Sequence, residues 1–292
     1  MADFDFSSII AGLQDGSVVP YIGPGVLADS HNASGDPIPA DSDSLIHAMN
    51  NGQPMAPRLM YEFPRAAMHI ELKRGRKFLT KFLNELYGEQ QWSRAGFHDW
   101  LATLKPSYVI DINRDVQLQE SYADTPHIMV NGVARIGGTD YRFKIYHYDG
   151  KEYKEVEQED VDVSLPVLFK PMGTPLPASN YIASDADYVD YITELMGGFA
   201  IPSFMKESRM GKQYVLIGMR LTRDSERMVM ADITWGCDEP RGWALIKEPT
   251  AKEIRYCKRM GIEIIDADHT DLINAAGANL ANSLPDVQTV GC

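Results

Sequence analysis

Short apolar runs that each stop at a glycine or a polar turn, separated by stretches of helical spacing, constrain this chain more than any other feature. The runs are VVPYI, YVIDI, VLF, YVLI, WALI and GIEII, beginning at positions 18, 108, 167, 214, 243 and 261. Strands this apolar and this short suit a parallel sheet covered by helices on both faces. Helical patterns fill the gaps at residues 6–14, 44–50, 57–69, 78–87, 96–104, 185–196, 223–235, 250–260 and 270–282. The expectation is an α/β protein with a Rossmann-like parallel sheet.

One region breaks this rhythm. From His127 to Val163, MVNGVARIGG, DYRFKIYHYDGKEYKEV and VDVSLPVLFK alternate β-branched or aromatic residues with polar ones. Asn131-Gly132 and Asp149-Gly150 read as the turns of antiparallel hairpins. The hairpins form either an insertion or a small lobe. Their aromatic side chains (Tyr141, Phe143, Tyr146, Tyr148 and Tyr153) either pack on the main sheet or form an interface. The acidic run EVEQEDVDV reads as a solvated strand edge.

Composition closes off several function classes. The net charge of −13 opposes non-specific binding to nucleic acid or an anionic membrane surface. The basic stretch ELKRGRKFLTKF, residues 71–82, reads as the solvated face of a helix whose Phe78, Leu79, Phe82, Leu83 and Leu86 point inward. No window approaches the roughly 18 apolar residues needed to cross a bilayer. The acidic start MADFDFSSIIAGL lacks the pattern of a secretory signal, so a cytoplasmic location is expected. Cys237, Cys257 and Cys292 are scattered and form no C-x-x-C pair, and the seven histidines show no metal-ligand spacing. No zinc module or other metal site is expected.

In open α/β sheets, ligands bind beyond the carboxyl ends of the strands. The residues there are Gly23-Pro24-Gly25, then Asn113-Arg114-Asp115, then Lys170-Pro171-Met172-Gly173, then Gly218-Met219-Arg220. The ordered set VVPYIGPG, VIDINRD, VLFKPMG, DADYVDYITEL and YVLIGMRLTRD, followed by GIEIIDADHTDLINAAGANL, resembles the sirtuin-like family in its divergent bacterial branch. The resemblance runs from about Ser8 to Leu280. It implies a single domain over 1–292, with 127–165 as the hairpin-rich part, and NAD or a related nucleotide as ligand. By this resemblance the cofactor site takes Gly23, Gly25, Asn113, Asp115, Gly173, Gly218 and Arg220. The first loop would offer backbone N–H groups to the pyrophosphate, and Asn113 and Asp115 would hold the nicotinamide ribose and carboxamide.

The departures from the family pattern fall on ligand-facing positions. Met172 stands where the family has its histidine base, and a thioether cannot move a proton. Pro24 removes one N–H from the first loop. Asp111 replaces a threonine, and Arg220 replaces a serine or threonine. Arg220 would either pair with phosphate oxygens or fill the cleft and neutralise Asp111. His98, His127, His147 and His269 offer no substitute base at a definable place, and Asp111 is the nearest titratable alternative. No catalytic residue is assigned. The expectation is a protein without the family's catalytic activity that binds nucleotide or works through assembly with itself or a protein partner. The alternative is an active NAD glycohydrolase of the bacterial defence type.

Overall fold

The computed structural model describes residues 4–135 and 141–283. The strands are β1 (Val18–Ile22), β2 (Tyr108–Asp111), β3 (His127–Gly132), β4 (Phe143–Tyr148), β5 (Tyr153–Glu155), β6 (Val167–Lys170), β7 (Gly173–Thr174), β8 (Asn180–Tyr181), β9 (Gln213–Ile217), β10 (Gly242–Leu245) and β11 (Ile262–Ile265). The helices are α1 (Ser7–Asp15), α2 (Ser42–Met49), α3 (Phe63–Arg74), α4 (Arg76–Asn84), α5 (Gly96–Leu104), α6 (Gln117–Ser121), α7 (Asp185–Gly197), α8 (Ser203–Ser208), α9 (Asp224–Ile233), α10 (Ala251–Arg259) and α11 (His269–Ser283).

Among the described residues, nine strands form one sheet in the order β11-β10-β9-β1-β2-β6-β3-β4-β5. The pairings from β11 through β3 are parallel, and β4 and β5 add an antiparallel edge. This is the expected Rossmann-like α/β architecture. Alternate residues of each strand serve opposite faces, as the two-residue period requires. Val18 and Ile22 join the core built with α1 to α5 and α11, while Val19 and Tyr21 join the core built with α7 to α10. Each face buries a large apolar cluster, so the strands are apolar throughout.

The hairpin region extends this sheet at its edge, because β3 runs parallel to β6 with Met129 opposite Leu168. Asn131-Gly132 is not the hairpin turn. Both residues lie in β3, where they pair with Lys144 and Phe143. A Cβ on Gly132 would lie 2.0 Å from Pro171 O, so glycine there permits a close backbone approach. Asp149 does make a turn, its Oδ1 accepting the N–H groups of Lys151 and Glu152. The acidic run after β5 leaves strand geometry and passes through a short turn at Gln158–Asp160. Phe143 and Tyr146 are core residues, and Tyr148 and Tyr153 pack with His127 at centroid distances of 4.8 and 5.5 Å. Residues 136–140 of the expected hairpin region, and Cys292, lie outside the described residues.

The basic stretch is two helices rather than one. Gly75, with φ of 84°, separates α3 from α4. Leu79 and Leu83 are fully buried, with Phe78, Phe82 and Leu86 packed partly beside them. Residues 57–62 precede α3 and stay outside it, because Phe63-Pro64 starts the helix where proline is tolerated.

Candidate functional site: a two-chamber cleft at the strand ends

β1 has β2 on one side and β9 on the other, so the order of strands reverses at β1. Connections leaving its two sides diverge there and open a crevice at the carboxyl ends. The loops that follow β1 and β9 meet across this crevice. Gly23 N–H donates to Ile217 O at 2.8 Å, and Gly25 N–H donates to Gly218 O at 2.7 Å. A Cβ on Gly25 would come within 3.0 Å of Gly218 Cα. Gly218 has φ of +71°, and a Cβ there would lie 2.6 Å from Val26 N. The glycines therefore let two loops clasp. The two amide hydrogens of the Gly-Pro-Gly turn are spent on that clasp, and Pro24 contributes none.

Outside the clasp lies an open cleft of about 530 Å³. Gly25, Gly218, Arg220, Arg223, Lys247 and Asp268 are among its walls. Its cations are already held by acids. Arg220 Nε and Nη2 grip Glu253 at 2.9 and 2.8 Å, while Nη1 donates to Lys247 O at 3.1 Å. Lys247 Nζ bridges Asp268 at 2.7 Å and Asp271 at 3.0 Å, and Arg223 lies 3.8 Å from Asp43. Burial pushes the Asp268 carboxyl up, but hydrogen bonds from Lys247 and from the N–H groups of Thr270 and Asp271 outweigh it and hold it at about 2. Arg220 and Lys247 are fixed in direction and half exposed, which suits them to meet an anionic ligand, while Arg223 is more buried.

Inside the clasp is a smaller chamber of about 50 Å³, walled by Tyr21, Phe63, Asn113, Arg114, Met172 and Glu226, among others. Asn113 is fixed there by its Nδ2, which donates to Gly23 O at 3.1 Å. Arg114 stacks over Phe63 at 5.4 Å and donates through Nε and Nη2 to Ile182 O. Glu62 accepts from Ser225 Oγ at 3.1 Å. Burial raises the Glu226 carboxyl from 4.5 to about 7; Glu62 adds to the rise, while Arg223, Arg114 and Arg227 oppose it. Pro24, Asp41, Ser42, Arg223 and Glu226 line both spaces, so the two chambers adjoin.

The residues singled out from the sequence separate into two groups. Gly25, Gly218 and Arg220 reach the outer cleft, and Asn113 and Met172 reach the inner chamber. Asp115 does not line either; its Oδ1 accepts from Gln117 N at 2.8 Å, and its Oδ2 is buried without a protein partner. Gly173 pairs with Tyr181 in the β7–β8 ribbon, where a Cβ would lie 2.0 Å from Asn180 O. Asp111 is not neutralised by Arg220. Its partner is Lys170, 2.7 Å away and equally buried at the end of β6. Burial pushes the Asp111 carboxyl up, and the Lys170 ammonium and the Asn113 N–H only partly offset the rise.

Of the four histidines, His147 lies in β4 opposite Ile128 and Lys154, away from both chambers' walls. His98 is buried without a protein partner at either ring nitrogen, and burial lowers it to about 4. His127 Nδ1 and Nε2 lie 2.8 Å from Thr125 O and Tyr153 Oη. His269 lines the outer cleft, edge-on to Phe97 at 6.1 Å. Asp268 serves α11 as its cap, accepting from Thr270 N. No cluster of metal-ligating side chains occurs among the described residues. Cys237 and Cys257 are free thiols.

Three residues receive no role from sequence reasoning: Lys170, which it places only at a strand end, and Glu62 and Glu226. Lys170 carries a usable signal, since a lysine ending an apolar strand in this fold must find a buried acid. Glu62 and Glu226 carry none, because each lies near a helix start and only tertiary packing brings them to one chamber. No protein-family model matches the chain, and no curated protein matches its sequence.

Proposed function

We propose that this chain is a sirtuin-like nucleotide-binding protein, with the outer cleft taking an NAD-class dinucleotide or its ADP-ribose portion. The observation that carries this reading is the position of the roughly 530 Å³ cleft, at the carboxyl ends of β1, β9 and β10 where the strand order reverses. Phosphate would be met by the side chains of Arg220, Arg223 and Lys247, since the first loop's amides are engaged with β9 and its loop. The ribose diols have Asp41 and Asp268 within the same walls. Met172 in the inner chamber means that the family's histidine chemistry is not carried over.

A cytoplasmic setting and no nucleic-acid partner belong to the same proposal, resting on composition and a charge of −13. No helix among the described residues is long and apolar enough to cross a membrane. Self-assembly is a second reading, favoured by Met196, Met210 and Trp235, exposed at 71%, 55% and 65% on the sheet face that carries α7 to α9.

The test is binding by titration calorimetry, with thermal denaturation alongside. ADP-ribose and NAD are expected to raise the melting temperature, since a ligand at a hundred times its Kd stabilises the native state by about 2.7 kcal/mol. Lys247→Ala is expected to weaken both ligands. No heat and no thermal shift with either at millimolar concentration would remove the nucleotide reading.

A further inference from the structure

β11 closes one end of the sheet, and among the described residues no strand pairs with its outer side. The opposite end is β5, three residues long and carrying Lys154 and Glu155, the short charged kind of edge that discourages further pairing. β11 has a different character. It reads Ile-Glu-Ile-Ile, and a groove of about 390 Å³ runs beside it. Pro249, Ile254, Ile262 and Ile264 wall that groove, with Lys258 and Asp266 also lining it.

The pairing with β10 decides which backbone groups β11 leaves free. Gly261 O accepts from Arg241 N, and Ile265 O accepts from Ile246 N, so these carbonyls point toward β10. Carbonyls alternate in direction along a strand, so Ile262 and Ile264 turn their N–H and C=O groups outward. Their side chains lie on the face covered by α10, Ile262 buried and Ile264 packed partly against the same core. Ile254 of α10 lines the groove and is 49% exposed. The charges of the groove sit at opposite ends. Lys258 is in the last turn of α10, just before the start of β11, and Asp266 follows the last residue of the strand. Both are exposed, and neither enters an ion pair with another described residue.

We propose that β11 is a dimerisation edge, pairing antiparallel with β11 of a second copy of this chain so that two sheets become one. A two-fold axis across the edge sets the start of one strand against the end of the other, as an interface between identical surfaces requires. Residues facing each other in an antiparallel pair share a side of the sheet, so the axis passes a residue and not the space between two. An axis at Glu263 would set two carboxylates directly opposite each other, which is unfavourable. An axis at Ile264 sets that residue opposite itself, and its outward N–H and C=O exchange two hydrogen bonds with the other copy. Ile262 then lies opposite the other copy's Asp266, which brings that carboxylate to the end of the groove where Lys258 stands. Four strand residues alone fall short of a stable interface, which buries roughly 1,200–2,000 Å² in total, so Ile254 on α10 and the groove wall extend it. This surface is separate from Met196, Met210 and Trp235, and it stands whether or not the cleft binds a nucleotide.

Sedimentation velocity of the full chain from about 1 to 100 μM, with circular dichroism to check folding, tests this. Wild type is expected to pass from monomer to dimer within that range. Ile254→Glu is expected to stay monomeric throughout, because dimerisation would bury its charge. Lys258→Glu and Asp266→Lys are each expected to weaken the dimer about tenfold. Their combination restores both end pairs with the signs exchanged and is expected to return the dimer to within about threefold of wild type. The Ile264 amide is expected to exchange its hydrogen more slowly as the dimer forms. A wild type that remains monomeric at the top of the range overturns the proposal. So does a dimer unchanged by Ile254→Glu and by both charge reversals, which would move self-assembly to the face bearing Trp235. A combined variant no tighter than the single reversals overturns it too. If Ile254→Glu fails to fold, the charge series decides alone.

Discussion

Lys170 ends β6 with its ammonium 2.7 Å from Asp111, and neither side chain reaches solvent. Removing one partner of such a pair leaves a buried charge without compensation, whereas removing both does not. Lys170→Met is therefore expected to cost about 3–5 kcal/mol in urea denaturation, and Lys170→Met combined with Asp111→Leu to recover much of that loss. Equal destabilisation by the single and double variants would mean that the pair is not what holds the strand ends. The same scale shows what a chain of letters can reveal. Glycine in Asn131-Gly132 suggests a turn, but its use is a close approach to the Pro171 carbonyl. A glycine announces backbone freedom or missing bulk without saying which, and only the neighbouring strand decides.

At the scale of elements, the cleft is held by links between segments that sequence cannot pair. Arg220, in the loop after β9, grips Glu253 in the first turn of α10, and Thr250 N–H donates to the same carboxylate at 2.9 Å. Burial raises Glu253, but the hydrogen bonds from Thr250 and Arg220 outweigh it and keep it ionised. Arg220→Ala is expected to cost about 1.5 kcal/mol, the low end for a charge-assisted pair because the arginine is half exposed. Urea midpoints measured at low and high salt would check it, with the loss smaller at high salt. No effect at either salt concentration would leave the loop held by the glycine clasp alone. Strands and helices are legible here because burial on both faces demands unbroken apolar runs. The partners of Arg220, Asp111 and Glu62 are not, since contacts between distant segments leave no local period.

Across the whole molecule, the parallel sheet and its helical covering follow from the alternation of apolar runs and amphipathic segments. The two-chamber cleft follows from strand order, which the runs alone do not give. Self-assembly belongs to this scale. Met196, Met210 and Trp235 are exposed on the face bearing α7 to α9, and a second copy covering them is expected to give a mass above the monomer in sedimentation at micromolar concentration. Trp235→Ser is expected to shift the distribution toward monomer; a strictly monomeric wild type would leave these side chains as ordinary surface.

The central position of β1 has a further consequence, for the order in which the protein can be made. Tyr21 pairs with Ile110 on one side and with Leu216 on the other, so the first strand to leave the ribosome has neighbours from the middle and the last third of the chain. Loop closure over such spans delays pairing until late in synthesis. During that interval VVPYI stays an apolar segment without its sheet, the kind of stretch that chaperones hold until the remaining strands arrive.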